Sequence, residues 1–65
     1  MDELAVRVIA EQTARNAVRD NLRAQGVKLS YVKMRDIVSQ ARAWLAAHPE
    51  ILAEAKVKAA ELGYA

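Results

Sequence analysis

Only three residues in this 65-residue chain are of the kinds that regularly interrupt a helix: Gly26, Pro49 and Gly63. No segment alternates apolar and polar residues with period two, so strands are not expected. The spacing of the three breakers predicts helices over about 3–25, 31–47 and 49–62. We therefore expect an all-α fold, a small three-helix bundle that forms a single domain over residues 1–65.

The residues beside these breakers predict where each helix begins and ends. Asp2 and Ser30 are good N-caps, since their side-chain oxygens can accept from free backbone N–H groups. Gly26 suits the left-handed position that commonly follows a helix. Pro49 suits a helix start, where its missing N–H costs nothing, and Gly63 ends the third helix.

Apolar residues recur at helical spacing and predict the core. On helix two they fall on one arc, with Tyr31 at its rim, and burial of the large ring predicts Trp44 near the centre of the bundle. Helix one has two adjacent stripes that Glu11 and Arg15 interrupt, so we expect it either to bend near residues 13–16 or to expose its middle. The expected core residues are Leu4, Val6, Val8, Ala10, Ala14, Ala17, Val18, Leu22, Met34, Ile37, Val38, Ala41, Leu45, Ile51, Leu52, Ala55, Ala59 and Leu62.

Composition limits how stable such a core can be. Of the chain 54% is hydrophobic, but much of that is alanine, and neither phenylalanine nor cysteine occurs. A small domain buries only about 60% of its unfolded surface, so a second copy or a partner helix is a plausible source of further burial. The absence of cysteine suits a reducing cytoplasm. The start Met-Asp-Glu lacks the features of a secretion signal, and the apolar run "AWLAA" is too short to span a membrane. The expected location is cytoplasmic.

Charge is distributed unevenly along the chain. The net charge of +2 divides into −2 over residues 1–14, +5 over residues 15–42 and −1 over residues 43–65. A concentration of positive charge favours binding to an anionic partner. The segment from residue 15 to 42 is therefore the main functional clue in the sequence.

Within this segment, Arg15, Arg19 and Arg23 follow one another at intervals of four residues and should repel each other in a helix. Glu11 can offset Arg15 and Asp20 can offset Arg23, whereas Arg19 has no acidic neighbour at helical spacing. The simplest interpretation is a solvated helix face. The sharper one is a nucleic-acid-binding or regulatory surface, whose candidate phosphate contacts are Arg19, Arg23, Lys28, Lys33, Arg35 and Arg42.

A helix-turn-helix motif fits the sequence only partly. With the first glycine in the turn, Val27 and Val32 occupy positions where apolar residues are expected. Leu22 stands where a small residue is usual, and Gln25 and Arg35 stand at apolar positions. The five-residue connection also exceeds the usual turn of three or four residues. The arrangement is helix-turn-helix-like at best.

No group of residues predicts catalysis. His48 is the single histidine and precedes a proline, which is typical of a corner or capping residue. Without a second histidine, the Glu-x-x-His pairs of carboxylate metal sites cannot form in one chain. Ser30 and Ser39 have no base near them in sequence, so a nucleophile, base and oxyanion site cannot be assembled. We expect no enzyme activity, metal, cofactor or small-molecule substrate.

A second class of function is a helical protein–protein interaction or homodimerisation module. The small residues Ala10, Ala14 and Ala17 on helix one would permit close approach of another helix. On helix three, Glu50, Glu54 and Glu61 share one side. The simpler interpretation of that side is a solvated face with a Glu54–Lys58 ion pair; the alternative is that it docks on the arginines of another copy.

The segment "RAWLAAHPEILAEA", residues 42–55, resembles one found in small helical proteins of bacteria and their phages. There, a tryptophan-leucine helix end runs into His-Pro-Glu. The resemblance covers about a fifth of the chain. It implies a helix-corner-helix junction and a bacterial origin more than any activity, and it transfers no site residues.

Overall fold

Three α-helices make up the computed structural model, which describes residues 3–63: α1 (Glu3–Ala24), α2 (Met34–Ala47) and α3 (Glu50–Glu61). A short 3₁₀ turn, Leu29–Tyr31, lies between α1 and α2. The described residues contain no strand. The predicted all-α fold with three helices is confirmed.

The C-terminus of α1 is set by the residues immediately around Gly26, as the sequence predicted. Gly26 has φ of +83°, the left-handed conformation that favours glycine. Its N–H donates to the carbonyl of Arg23 at 2.9 Å, and the N–H of Val27 donates to the carbonyl of Leu22 at 3.0 Å. These two bonds form a Schellman motif, which satisfies carbonyls that the helix leaves open. The predicted cap at Asp2 lies outside the described residues.

The predicted start of α2 is wrong by three residues. Ser30 belongs to the 3₁₀ turn, and both Val32 and Lys33 are extended, with ψ of 127° and 141°. Lys33 therefore occupies the N-cap position of α2, where its side chain makes no capping hydrogen bond. The physical reason is tertiary: Val32 packs against the core between the turn and the helix, and an extended backbone carries it there.

The corner between α2 and α3 matches its prediction to within one residue. His48 caps α2, with its N–H donating to the carbonyl of Leu45 at 3.1 Å. Pro49 takes the N-cap position of α3 with φ of −62°. The N–H of Ile51 donates to the carbonyl of His48 at 3.1 Å. The chain thus passes from one helix to the next with hardly any connecting loop.

The two later helices run back along α1, one after the other. α3 packs on the N-terminal half of α1 through a cluster of Val6, Ala10, Ala55 and Ala59. α2 packs on the C-terminal half through a cluster of Ala14, Val18, Ile37 and Ala41. Beyond their junction, α2 and α3 contact each other hardly at all. The molecule is accordingly elongated, with dimensions of 38 × 20 × 17 Å.

This serial arrangement corrects several core predictions. Trp44 is half-buried at the margin of the second cluster and not at the centre, because no third helix covers its ring. The middle of α1 does not face water, since Ala10 and Ala14 are completely buried. The expected core residues that are instead exposed are Leu4, Val8, Met34, Leu52 and Leu62, and Tyr31 is 82% exposed.

Candidate functional site

Arg19 connects α1 to the beginning of α2. Its side chain is half-buried, and Nη2 lies 3.9 Å from Sδ of Met34. Within residues 3–63 no carboxylate pairs with it, so the fold does not supply the counter-charge that the sequence of α1 lacks. Because sulfur is only a weak acceptor, most of the hydrogen-bonding capacity of this guanidinium stays available.

Of the six candidate phosphate contacts, Arg23 is the one that forms an ion pair with a carboxylate of the described chain. Its Nη1 lies 3.2 Å from Oδ1 of Asp20, and both side chains are largely exposed, so this predicted pair is confirmed. An exposed pair of this kind contributes about 0–1 kcal/mol. Asp20, Arg23, Arg19, Asn16 and Leu29 line one shallow groove beside the connection between α1 and α2.

Arg15 and Glu11, which helical spacing would allow to pair, form no salt bridge. Nη2 of Arg15 donates to Oε1 of Gln12 at 3.1 Å, and no salt bridge reaches Arg15 from the described residues. Arg15 and Glu11 are half-buried and line a narrow groove between α1 and α2 together with Arg42. Arg15 therefore belongs to the basic surface. The repeat of arginine every four residues was the sequence signal for it.

The other four candidate cations are exposed: Lys28, Lys33, Arg35 and Arg42. In the described part of the chain, none of the four makes a salt bridge or a side-chain hydrogen bond. Arg35 and Arg42 are seven residues apart on α2 and so share one helix face. We call the surface formed by Arg15, Arg19, Arg35 and Arg42 the basic edge. Lys28 and Lys33 lie in the connection at its end.

The acidic side chains of α3 lie away from this edge. α3 packs on the N-terminal half of α1, whereas the basic edge follows the C-terminal half and α2. The expected Glu54–Lys58 ion pair is not formed within the described chain. Two acidic side chains do line grooves of the basic edge: Glu11 beside Arg15 and Arg42, and Asp20 beside Arg19.

At the corner between α2 and α3, His48, the one histidine of the chain, contacts both Trp44 and Glu50. Nδ1 of His48 lies 3.0 Å from Oε1 of Glu50, and its ring stacks on Trp44 with centroids 4.3 Å apart. The backbone N–H of Glu50 and the His48 side chain lower the pKa of the Glu50 carboxyl below its ordinary value of 4.5. This is the corner role predicted for His48. Nowhere in residues 3–63 do three His, Cys, Asp or Glu side chains come together to hold a metal ion.

Fold and site together define the class of protein, a small helical hairpin with a basic edge. One arm of the hairpin is α1, and the other arm consists of α2 followed by α3. The basic edge lies beside the connection between α1 and α2. No protein-family model matches the chain, and the searches of curated proteins and of solved structures found no significant match either. Among the described helices, none has the length and apolar character needed to cross a membrane.

Proposed function

We propose that this chain is a small non-enzymatic module that binds nucleic acid through its basic edge and acts in the cytoplasm. One observation carries the proposal. Five of the six cations predicted to contact phosphate, namely Arg19, Lys28, Lys33, Arg35 and Arg42, have no carboxylate partner in the described part of the chain.

The arrangement of these cations fits an extended polyanion better than a single small anion. They come from two helices and from the connection between them, so their charges are spread along the molecule. Guanidinium groups bind phosphate in a bidentate manner, and such contacts fix position without reading sequence. Tyr31, 82% exposed between Lys28 and Lys33, offers a ring on which an unpaired base can stack.

A contact made of phosphates predicts a steep dependence on salt. Each neutralised phosphate of duplex DNA contributes about −0.9 to the slope of log K against log[salt]. If the four arginines of the basic edge each contact one phosphate, the slope is about −3.6. We expect binding that is measurable at low salt, weak at physiological salt and largely independent of sequence.

The test compares two double variants that remove the same charge. Arg35→Ser/Arg42→Ser should weaken binding to a short duplex and reduce the salt slope by about two units. Lys56→Ser/Lys58→Ser changes two exposed cations of α3, outside the edge, and should leave both quantities close to wild type. Fluorescence anisotropy of a labelled duplex between 20 and about 200 mM salt measures both. Equal losses in the two variants, or no wild-type binding at low salt, would disprove the proposal.

A further inference from the structure

Tyr31 carries an aromatic ring that the fold does not use. It is 82% exposed, more than any other large hydrophobic side chain in residues 3–63. Among those residues its ring stacks on no other ring, and its hydroxyl makes no hydrogen bond. Because a buried aromatic ring contributes much apolar area to a core, a ring left almost wholly in water is available to a ligand.

The backbone that carries this ring is held in place on both sides. The N–H of Tyr31 donates to the carbonyl of Lys28 at 3.1 Å. The N–H of Val32 donates to the carbonyl of Leu29 at 3.0 Å. Leu29 lines a groove with Arg19 of α1, and Val32 packs on the second core cluster. A ligand that binds the ring therefore does not have to order the chain around it, which lowers the cost of binding.

Cations flank the ring along the chain and reach it from α1. Lys28 and Lys33 lie three residues before and two residues after Tyr31, so their Cα atoms are within about 11 Å of its own. Both are exposed and have no carboxylate partner in the described chain. Arg19 extends to the same end of the molecule, since its Nη2 lies 3.9 Å from Sδ of Met34 at the beginning of α2.

The two nearest acidic side chains do not cancel this charge. Asp20 lines the groove beside Arg19, but its carboxylate pairs with Arg23 at 3.2 Å. Asp36 follows Met34 by two residues, which places it about 160° around α2 from the side chain that Arg19 contacts. The connection between α1 and α2 therefore combines a free aromatic ring with unpaired cations on either side. Sites that bind single strands combine the same two elements, a ring that stacks on a base and cations that bind the backbone.

We infer that this protein prefers single-stranded nucleic acid to a duplex, with one unpaired base stacked on Tyr31 and the phosphates beside it bound by Lys28 and Lys33. The inference rests on the proposed function and names its class of ligand. Phosphate contacts alone would favour a duplex, which carries twice the charge per unit length. In a duplex, however, neighbouring base pairs cover the faces of the bases and only their edges are open, so the ring contributes to binding of an unpaired strand alone.

Three labelled ligands of equal length test the inference by fluorescence anisotropy of the full chain: oligothymidylate of about 12 nucleotides, an abasic single strand, and a duplex. Wild-type protein should bind oligothymidylate more tightly than the duplex, and about fivefold or more tightly than the abasic strand. Tyr31→Ser should weaken oligothymidylate binding about fivefold or more and leave the other two affinities unchanged. It should also leave the salt slope unchanged, because it removes no charge.

Two further variants serve as controls. Tyr31→Phe keeps the ring and should bind all three ligands like the wild type. Val57→Ser removes an apolar side chain of α3 that is 60% exposed, and it should also leave all three affinities unchanged. Circular dichroism of each variant checks that the helices are retained. Oligouridylate of the same length distinguishes RNA from DNA, and tighter binding of either strand than of the duplex supports the inference.

The outcomes separate this inference from the proposed function. Oligothymidylate that binds no more tightly than the abasic strand or the duplex overturns the inference, as does a Tyr31→Ser variant with unaltered affinity or a loss shared by Val57→Ser. Binding of the duplex in those cases leaves the proposed function standing. A chain that binds none of the ligands at low salt contradicts both.

Discussion

Alanine is the commonest residue in the buried core of this protein. Among residues 3–63, five of the eight buried core residues are Ala10, Ala14, Ala41, Ala55 and Ala59, and no large side chain there is fully buried. Small side chains let two helices approach closely, but each contributes little apolar area. The core therefore depends on close fit between backbones more than on the amount of buried hydrocarbon.

Close fit makes the buried alanines intolerant of larger residues. Ala59 is completely buried between α3 and α1, whereas its neighbour Ala60 is exposed. Ala59→Leu should destabilise the fold by about 1–3 kcal/mol because the added atoms force the helices apart. Ala60→Leu should change stability by less than about 0.5 kcal/mol. Urea denaturation of both variants measures the difference, and equal stabilities would show that α3 does not pack on α1 as described.

Helix ends divide into those set by neighbouring residues and those set by distant ones. Gly26 and Pro49 were located from sequence because a left-handed glycine and a proline at a helix start act through their own backbones. The beginning of α2 was misplaced because it depends on where Val32 packs. Local propensity favoured Ser30 as a cap, and tertiary packing overrode it.

Substitutions at Lys33 and Ser30 can test which of the two residues caps the beginning of α2. Lys33 has the extended N-cap conformation but makes no side-chain capping bond. Lys33→Ser would supply a hydroxyl to the free N–H groups of α2 and should stabilise the protein by about 1 kcal/mol. Ser30→Ala should be nearly neutral, because Ser30 is exposed and makes no side-chain bond within the described chain. Thermal melts would show the opposite ranking if α2 began after Ser30.

The same division between local and distant causes applies to the candidate site. The Asp20–Arg23 pair follows from spacing on one helix and was predicted. Spacing also showed that α1 offers Arg19 no carboxylate, but it left open whether another helix would supply one. The grouping of Arg15 with Arg42 depends on how α2 lies against α1, which no local pattern reports. Periodicity placed the basic residues on helices. Only the packing of those helices shows which cations form one surface.

At the scale of the whole molecule, the core consists of two clusters in series. α3 with the first half of α1 forms one, and α2 with the second half forms the other. Sequence periodicity identified apolar faces on all three helices but could not tell a closed bundle from this serial arrangement, because both need one apolar face per helix. Trp44 was misplaced for that reason. Leu45 is the side chain that packs against both clusters.

Two clusters joined mainly by one continuous helix should open separately, since stability is not uniform where few contacts connect two units. Val6 belongs to the first cluster alone. Val6→Ala removes two buried methyl groups and should lower the free energy of unfolding of this cluster by about 1.5 kcal/mol. Native-state hydrogen exchange should show protection falling about tenfold in α3 and the first half of α1 while α2 is unchanged. Leu45→Ala is the control and should lower protection in both α2 and α3, because its side chain reaches both clusters. If Val6→Ala lowered protection equally in α2 and α3, the two clusters would unfold as a single cooperative unit.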